Sequence, residues 1–154
     1  MSRIPRSAAG PSFREARPAR DRSVYEQRTG AILVRVEPRF LPDQSDEDER
    51  RYVWSYTVEI ENHGEATVQL LSRRWLITDA LNRTETVVGE GVRGEQPTLG
   101  PREAFRYTSF CPLPTPSGEM RGGYQMIDLT DESVFEVEIP GFSLHLPSAR
   151  RNLN

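Results

Sequence analysis

The chain has 154 residues and a formal net charge of −3, which indicates a single domain large enough to bury a hydrophobic core. No stretch approaches the ~18 consecutive apolar residues of a membrane helix, so we do not expect a membrane protein. All 20 basic residues are arginine. The absence of lysine excludes Schiff-base catalysis and the lysine of a phosphate-binding P-loop.

Both ends of the chain are basic and poor in apolar residues. Residues 1–23 are rich in Arg, Pro, Gly and Ser and are predicted to form a disordered tail, because they cannot bury enough surface to offset the entropy of ordering. Residues 148–154 are predicted to be a flexible C-terminal tail. The arginines could attract RNA, but no RNP-like motif accompanies them, so nucleic acid is not favoured as a partner.

Residues 24–147 read as one β domain that begins with a short lead-in at 24–26. Strands are predicted over 31–40, 52–60, 67–79, 84–88, 104–111, 120–129 and 134–146. The segment 52–60 alternates apolar and polar residues with the period of a half-buried strand. No segment has a helical period. Seven strands with turn residues between them predict an all-β fold, an antiparallel sandwich, although a barrel would give the same pattern.

Two of the predicted strands change the face on which their apolar residues lie. In 67–79 the switch follows Leu70, which predicts a β-bulge near Leu71–Arg74. In 134–146 the switch occurs at Pro140–Gly141, which predicts a second bulge or kink. The adjacent Arg73 and Arg74 should point in opposite directions, one packed or paired and one in solvent.

The stretch VVGEGVRGEQP contains G-x-G-x-x-G at Gly89, Gly91 and Gly94, the spelling of a dinucleotide-binding turn. That turn needs a helix whose N-terminal amides hold the pyrophosphate. Pro97, Gly100 and Pro101 prevent a useful helix here, so we interpret the segment as a structural loop. An anion site at Gly89, Gly91, Arg93 and Gly94 remains the alternative, because loop amides can form an anion-binding nest.

The remaining polar residues form no recognisable catalytic or metal-binding pattern. The acidic loop at 42–51 lacks the spacing of an EF-hand, and His63 and His145 are far apart in the sequence. Cys111 is the one cysteine, which excludes an intramolecular disulfide and is typical of a cytoplasmic protein. We expect its side chain to lie in the core. Trp54 and Trp75 are predicted core residues. We therefore predict no catalytic residue, no metal and no cofactor.

Four stretches together resemble the ApaG domain family, and the resemblance spans roughly residues 30–147. They are RRWLITD (73–79), VVGEGVRGEQPTLGPREAFRYTS (87–109), LPTPSGEMRGGYQM (113–126) and FEVEIPGFSL (135–144). The resemblance implies a fibronectin type III or immunoglobulin-like sandwich in a small cytosolic protein. It also implies a link with cobalt tolerance and magnesium efflux in bacteria, and a protein-binding role in eukaryotic F-box and polymerase-interacting proteins.

Three hypotheses for function follow. The first is a non-enzymatic module that binds a protein partner through a sheet edge or through the loops at 81–103 and 112–121. The second is a sensor of phosphate, pyrophosphate or a dinucleotide that uses the glycine-rich segment 89–94 with Arg93. The third is a metal-dependent hydrolase built on the acids of the 42–51 loop, which is the least favoured because a flexible loop lacks preorganised geometry. No pattern in the sequence sets an oligomeric state.

Overall fold

The computed structural model describes residues 23–147, which form two antiparallel β-sheets and two short 3₁₀ helices, Pro42–Gln44 and Glu47–Glu49. The nine strands are β1 (Tyr25–Thr29), β2 (Ile32–Phe40), β3 (Tyr52–Asn62), β4 (Val68–Asp79), β5 (Thr84–Glu90), β6 (Thr98–Leu99), β7 (Ala104–Leu113), β8 (Gly118–Asp128) and β9 (Val134–Leu144). Seven of them match the predicted strands. The other two are β1, which contains the lead-in, and the two-residue β6.

The strands are arranged as a sandwich and not as a closed barrel. The first sheet has the order β1-β2-β3-β7, and the second has the order β5-β4-β8-β9 with β6 also paired to β4. Every pairing between these strands is antiparallel. The predicted antiparallel sandwich is therefore confirmed, and the barrel alternative is wrong because the two sheets have separate hydrogen-bond ladders.

Aromatic side chains from both sheets form the centre of the core. Trp54 on β3 and Trp75 on β4 are both buried, as predicted. The ring of Trp75 lies 5.3 Å from that of Tyr56 and 5.9 Å from that of Phe142, measured between centroids. The indole N–H of Trp54 donates to the carbonyl of His145 at 3.0 Å. Each tryptophan therefore buries its ring, and Trp54 also satisfies its polar group.

Both predicted bulges are present, and each one resolves a change in apolar parity. The β4–β8 register shifts between Leu70 and Ser72. The β8–β9 register shifts between Met120 and Gly122, opposite Pro140–Gly141. An extra residue in one strand turns the next side chain to the opposite face. The apolar residues on both sides of each bulge therefore face the same core.

The two flanks of the sandwich differ in whether side-chain hydrogen bonds connect the sheets there. On one flank, the Gln27 side chain of β1 donates to Glu138 of β9 at 3.0 Å, and the Glu138 amide donates to the Thr29 hydroxyl at 3.1 Å. On the other flank, β5 and β7 are edge strands that no further strand of residues 23–147 covers. This second flank, which we call the open flank, carries the glycine-rich segment.

Cys111 lies on β7 with its side chain in the core, and its exposed fraction is 3%. Burial raises the pKa of its thiol to about 12. Since the thiolate is the reactive form, a disulfide-exchange reagent at pH 8 should modify the folded protein at least about 100-fold more slowly than the urea-unfolded protein. Comparable rates in the two states would show that the thiol is accessible and would contradict its assignment to the core.

The predicted tails at 1–23 and 148–154 lie outside the described residues, apart from Ser23. No helix in the part of the chain that the structure describes is long and apolar enough to cross a membrane.

Candidate functional site at the glycine-rich turn

The glycine-rich segment is a strand followed by a tight turn. Strand β5 continues through Gly89 to Glu90, two residues beyond its predicted end, and a turn at 91–95 then leads towards β6. No helix begins after Gly94. The prediction that no dinucleotide-binding helix follows these glycines is therefore confirmed.

The turn itself is a two-residue hairpin loop. The Val92 amide donates to the Glu95 carbonyl at 2.8 Å, and the Glu95 amide donates back to Val92 at 3.0 Å. Between them, Arg93 and Gly94 both have positive φ, at 50° and 80°, as the type I′ turn requires. Val92 is fully buried and fixes the turn to the core. The side chain of Arg93 is thereby held beside the open flank.

The first two glycines of the motif leave space that a Cβ would occupy, and at Gly91 the overlap would be with fixed backbone. A Cβ on Gly91 would lie 2.3 Å from the Glu95 carbonyl oxygen, and the φ of Gly91 is +63°. A Cβ on Gly89 would lie 2.8 Å from the guanidinium of Arg73. Gly91 therefore allows the turn to close, and Gly89 leaves room for the Arg73 side chain to cross β5.

Arg73 connects β4 to the turn through its guanidinium. Its Nη1 donates to the carbonyl of Glu90 at 3.1 Å and to that of Gly91 at 2.8 Å. The neighbouring Arg74 points to the outer face, where it is exposed and lies 3.6 Å from a Glu136 carboxylate oxygen. The prediction that one of these two arginines is packed and the other is in solvent is confirmed.

The backbone amides of the segment are partly used inside the protein. The Gly91 amide donates to Leu71 at 2.8 Å, and the amides of Val92 and Glu95 bond across the turn. The four predicted anion-site residues, Gly89, Gly91, Arg93 and Gly94, do lie at one turn, but the amide of Gly91 is already bonded inside the protein. The groups that converge here are side chains.

Those side chains surround a pocket of about 270 Å³ on the open flank. The pocket lies between β3 and β7 of the first sheet and β4, β5 and the turn of the second. Its lining residues are Tyr56, Arg73, Trp75, Glu90, Val92, Arg93, Gly94, Tyr107 and Ser109. Two guanidinium groups and three hydroxyl groups therefore share one small cavity.

Burial and charge both act on the hydroxyl groups of the pocket. Burial raises the pKa of Tyr56, whereas a hydrogen bond with Ser109 and the charges of Arg73 and Arg93 partly oppose that shift. Burial also raises the pKa of Tyr107, and its hydroxyl is hydrogen-bonded to that of Tyr124. Burial also raises the pKa of Tyr124 well above its ordinary value. These phenols are neutral at physiological pH and act as hydrogen-bonding groups.

The structure also shows which residues the sequence reasoning missed. Ser109 was assigned no role from the sequence and Arg73 only an orientation, yet both line the pocket. The alternation of 104–111 already places Ser109 on the face of Tyr107 and Cys111, so strand parity could have identified it. The contact between Arg73 and Gly91 bridges two strands and had no local pattern that could reveal it.

The other predicted candidates lie away from the pocket. His63 is in a turn, and its Nε2 lies 2.8 Å from a Glu61 carboxylate oxygen. In the acidic loop, the Asp46 carboxylate accepts from the Asp48 amide at 3.1 Å. Residues 23–147 contain no group of three or more His, Cys, Asp or Glu side chains that could hold a metal ion. The structure therefore gives the metal-dependent hydrolase hypothesis no preorganised site.

The model of one protein family, described as the ApaG domain, matches residues 42–128, which include β3 to β8 and the glycine-rich turn. The chain belongs to the ApaG domain family. The match covers more than half of the chain and confirms the resemblance seen in the sequence motifs. The pocket on the open flank is thus a feature of an ApaG domain.

Relatives and a solved structure agree with this assignment. The chain is 60% identical over 135 residues to Protein ApaG of Caulobacter vibrioides, covering 87% of this chain and 95% of the relative. It is 54% identical over 131 residues to Protein ApaG of Bradyrhizobium diazoefficiens, covering 85% and 100%. A Bordetella pertussis protein described as ApaA has a crystal structure with a TM-score of 0.73 and 48% identity, covering 75% and 94%. The sandwich described here is therefore an ApaG fold.

Proposed function

We propose that this ApaG domain is a non-enzymatic module that binds a partner protein by adding an extended segment of that partner to strand β5. The proposal depends mainly on one observation, the row of backbone groups that β5 directs away from its own sheet. Strand addition uses such groups to continue the hydrogen-bond ladder into a second chain.

The hydrogen-bond pattern identifies these groups. The Asp79 amide donates to Arg83, and the Gly91 amide donates to Leu71, one pair at each end of β5. Because hydrogen-bonded and non-hydrogen-bonded pairs alternate in an antiparallel ladder, the register makes the β5 residues opposite Arg74, Leu76 and Thr78 non-hydrogen-bonded. These are Val88, Thr86 and Thr84. Their N–H and C=O groups therefore point away from β4.

The side chains of β5 are also compatible with the addition of a partner strand. The strand has no proline and no internal bulge, and its residues Thr84, Thr86, Val87 and Val88 belong to types that are enriched in strands. Val88 is 68% exposed. Natural proteins usually protect such an edge with proline, lysine or a bulge. An accessible, strand-compatible edge supports binding of an extended peptide.

The non-enzymatic part of the proposal is supported by the chemistry of the pocket. A serine nucleophile requires a nearby general base. Ser109 has Tyr56 and arginines around it, and the one carboxylate of the lining belongs to Glu90 on the rim. The pKa values of the phenols are raised, so the phenolate form that would act as a base is scarcely populated near neutral pH. This set of groups favours binding over proton transfer.

We extend the proposal to three finer points that the family resemblance implies. The sandwich is of the fibronectin type III or immunoglobulin-like kind, the protein acts in the cytoplasm, and any link with cobalt tolerance or magnesium efflux acts through the partner. The buried, free Cys111 supports the cytoplasmic setting, because a protein built without disulfides suits a reducing compartment.

The substitution Thr86→Pro tests strand addition. It removes an N–H that points away from β4, so the β4–β5 ladder loses no hydrogen bond. A strand added to β5, by contrast, would lose this donor and would collide with the proline ring. Crosslinking in the native cell followed by mass spectrometry should recover a specific partner with the wild-type chain. We expect Thr86→Pro to reduce that recovery at least about tenfold, since several backbone hydrogen bonds of about 1 kcal/mol each are affected.

Thr86→Val is the matched control, because it keeps the N–H and the β-branched shape. It should recover the partner as well as the wild type does. Equal recovery with Thr86→Pro and Thr86→Val would reject β5 as the binding edge. Turnover of a compound from a metabolite panel, with no specific partner recovered, would reject the non-enzymatic module itself.

A further inference from the structure

The pocket on the open flank contains a buried hydroxyl whose proton has no acceptor among residues 23–147. Tyr124 is fully buried, and its hydroxyl is hydrogen-bonded to that of Tyr107. A phenol carries one O–H, and Tyr107 is the one hydrogen-bond partner that Tyr124 has within the described chain. The bond itself does not fix the donor, but Tyr124 is enclosed in the core whereas Tyr107 lines the pocket, so we take Tyr124 as the donor and the proton of Tyr107 as directed into the pocket.

Tyr107 lines the pocket while its side chain is almost entirely buried, with an exposed fraction of 9%. Buried hydroxyl groups in folded proteins nearly always have a hydrogen-bond partner. Since Tyr107 already accepts from Tyr124, its own proton points to a group that accepts hydrogen bonds from the floor of the pocket.

Positive charge surrounds the same position. Neither Arg73, which is half-buried, nor Arg93, which is exposed, forms an ion pair with any carboxylate of the described chain. Arg73 uses one nitrogen, Nη1, for the turn carbonyls, and a guanidinium has five N–H donors. Both guanidinium groups line the cavity, and the charge of each opposes the rise in the pKa of Tyr56.

We propose that this pocket binds a small oxyanion, held by Arg73 and Arg93 at the rim and by the Tyr107 hydroxyl at the floor. Carboxylate and phosphate groups share the required chemistry, because both accept several charge-assisted hydrogen bonds and suit the planar guanidinium. The site differs from a dinucleotide turn, since side chains and not successive backbone amides provide the donors.

Size and charge restrict the ligand further. A cavity of about 270 Å³ accommodates one carboxylate- or phosphate-bearing group but not a dinucleotide. The lining carries the positive charges of Arg73 and Arg93 and the negative charge of Glu90. The charged side chains of the lining therefore have a net charge of +1, which a singly charged oxyanion would neutralise. A monoanion is the favoured ligand.

Titrations with sodium acetate and with sodium phosphate, at constant ionic strength set with sodium chloride, test the proposal. The side-chain Nε–Hε resonances of Arg73 and Arg93 should shift and saturate in at least one titration. The anion with the lower dissociation constant then identifies a carboxylate or a phosphate group as the natural ligand chemistry. Shifts that stay linear, or that chloride reproduces, would reject the site.

The substitution Arg93→Gly removes one guanidinium and suits the positive φ of this position. We expect it to weaken anion binding at least about tenfold, the size of one charge-assisted hydrogen bond. Arg50→Gly is the matched control, because Arg50 also has a positive φ, of 54°, and lies outside the pocket. Equal weakening by both variants, or by neither, would overturn the proposal.

Tyr107→Phe tests the floor of the pocket separately. It removes the hydroxyl proton and should weaken binding of the same anion about tenfold while the Arg73 resonance stays in its folded position. Unchanged affinity in this variant would remove Tyr107 from the site. The anion site does not depend on strand addition, so Thr86→Pro should leave the titration unchanged, and the two proposals can fail independently.

Discussion

Replacing Gly122 with alanine should lower the free energy of unfolding by about 3–5 kcal/mol, because the new methyl group has no space. Gly122 lies in β8, a central strand, opposite Trp75 of β4 and Ile139 of β9. A Cβ at this position would lie 2.0 Å from the carbonyl oxygen of Arg74 and 3.2 Å from the Cα of Trp75. The β4–β8 ladder would have to separate. Urea unfolding followed by tryptophan fluorescence measures the loss.

Gly141→Ala is the matched control on the neighbouring strand. Its Cβ would have no neighbour closer than 3.8 Å, and its φ is not in the left-handed region. We expect a change within about 1 kcal/mol, in either direction, since alanine also restricts the unfolded chain. If both variants unfolded at the same urea concentration, close packing at Gly122 could not be the reason for the glycine.

The second large effect is expected for Asn62→Ala, which should destabilise the fold by about 2–4 kcal/mol because buried polar groups lose their partners. Asn62 is 1% exposed at the end of β3. Its Nδ2 donates to three backbone carbonyls, those of Ala66, Leu99 and Gly100, at 2.8, 3.0 and 3.2 Å. Its Oδ1 accepts from the Gly64 amide at 2.9 Å. One side chain thus fixes two separate turns.

Asn62→Asp distinguishes the donor from the acceptor, because it keeps the Oδ1 that accepts from Gly64 but loses the Nδ2 that holds the three carbonyls. We expect it to lose at least as much stability as Asn62→Ala at pH 7, since it also buries a charge. His63→Ala, at the exposed neighbouring position, should change stability by less than about 0.5 kcal/mol. A loss in His63→Ala equal to that in Asn62→Ala would assign the effect to the turn in general and not to the amide.

The strands, the core and the bulges could be predicted from the sequence because they depend on local periodicity. A strand with one buried face alternates apolar residues regardless of its partner, as β3 does. The apolar residues change face at Leu71 and at Pro140–Gly141, and each change correctly predicts a β-bulge. The absence of a helix after the glycine motif was also predictable, since nearby prolines exclude the helix that pyrophosphate binding needs.

The polar contacts could not be predicted in this way, because they join residues that are distant in the sequence. Arg73 reaches Gly91 across a strand pair, and Asn62 reaches Gly100 over 38 positions. The sequence N-x-G at 62–64 is typical of an ordinary turn and does not indicate that Asn62 is buried. Which polar side chain is buried depends on how the loops pack over it. The pocket therefore became visible through the fold and not through any motif.

The bond between Tyr107 and Tyr124 joins β7 of one sheet to β8 of the other. Immunoglobulin domains of antibodies connect their two layers at the centre with a disulfide, which depends on an oxidising compartment. Here a hydrogen bond between two phenols links the layers non-covalently, so its formation needs no oxidant and reductants cannot break it. Strong alkali can, because the unfolded chain ionises its tyrosines at a lower pH than the folded chain does.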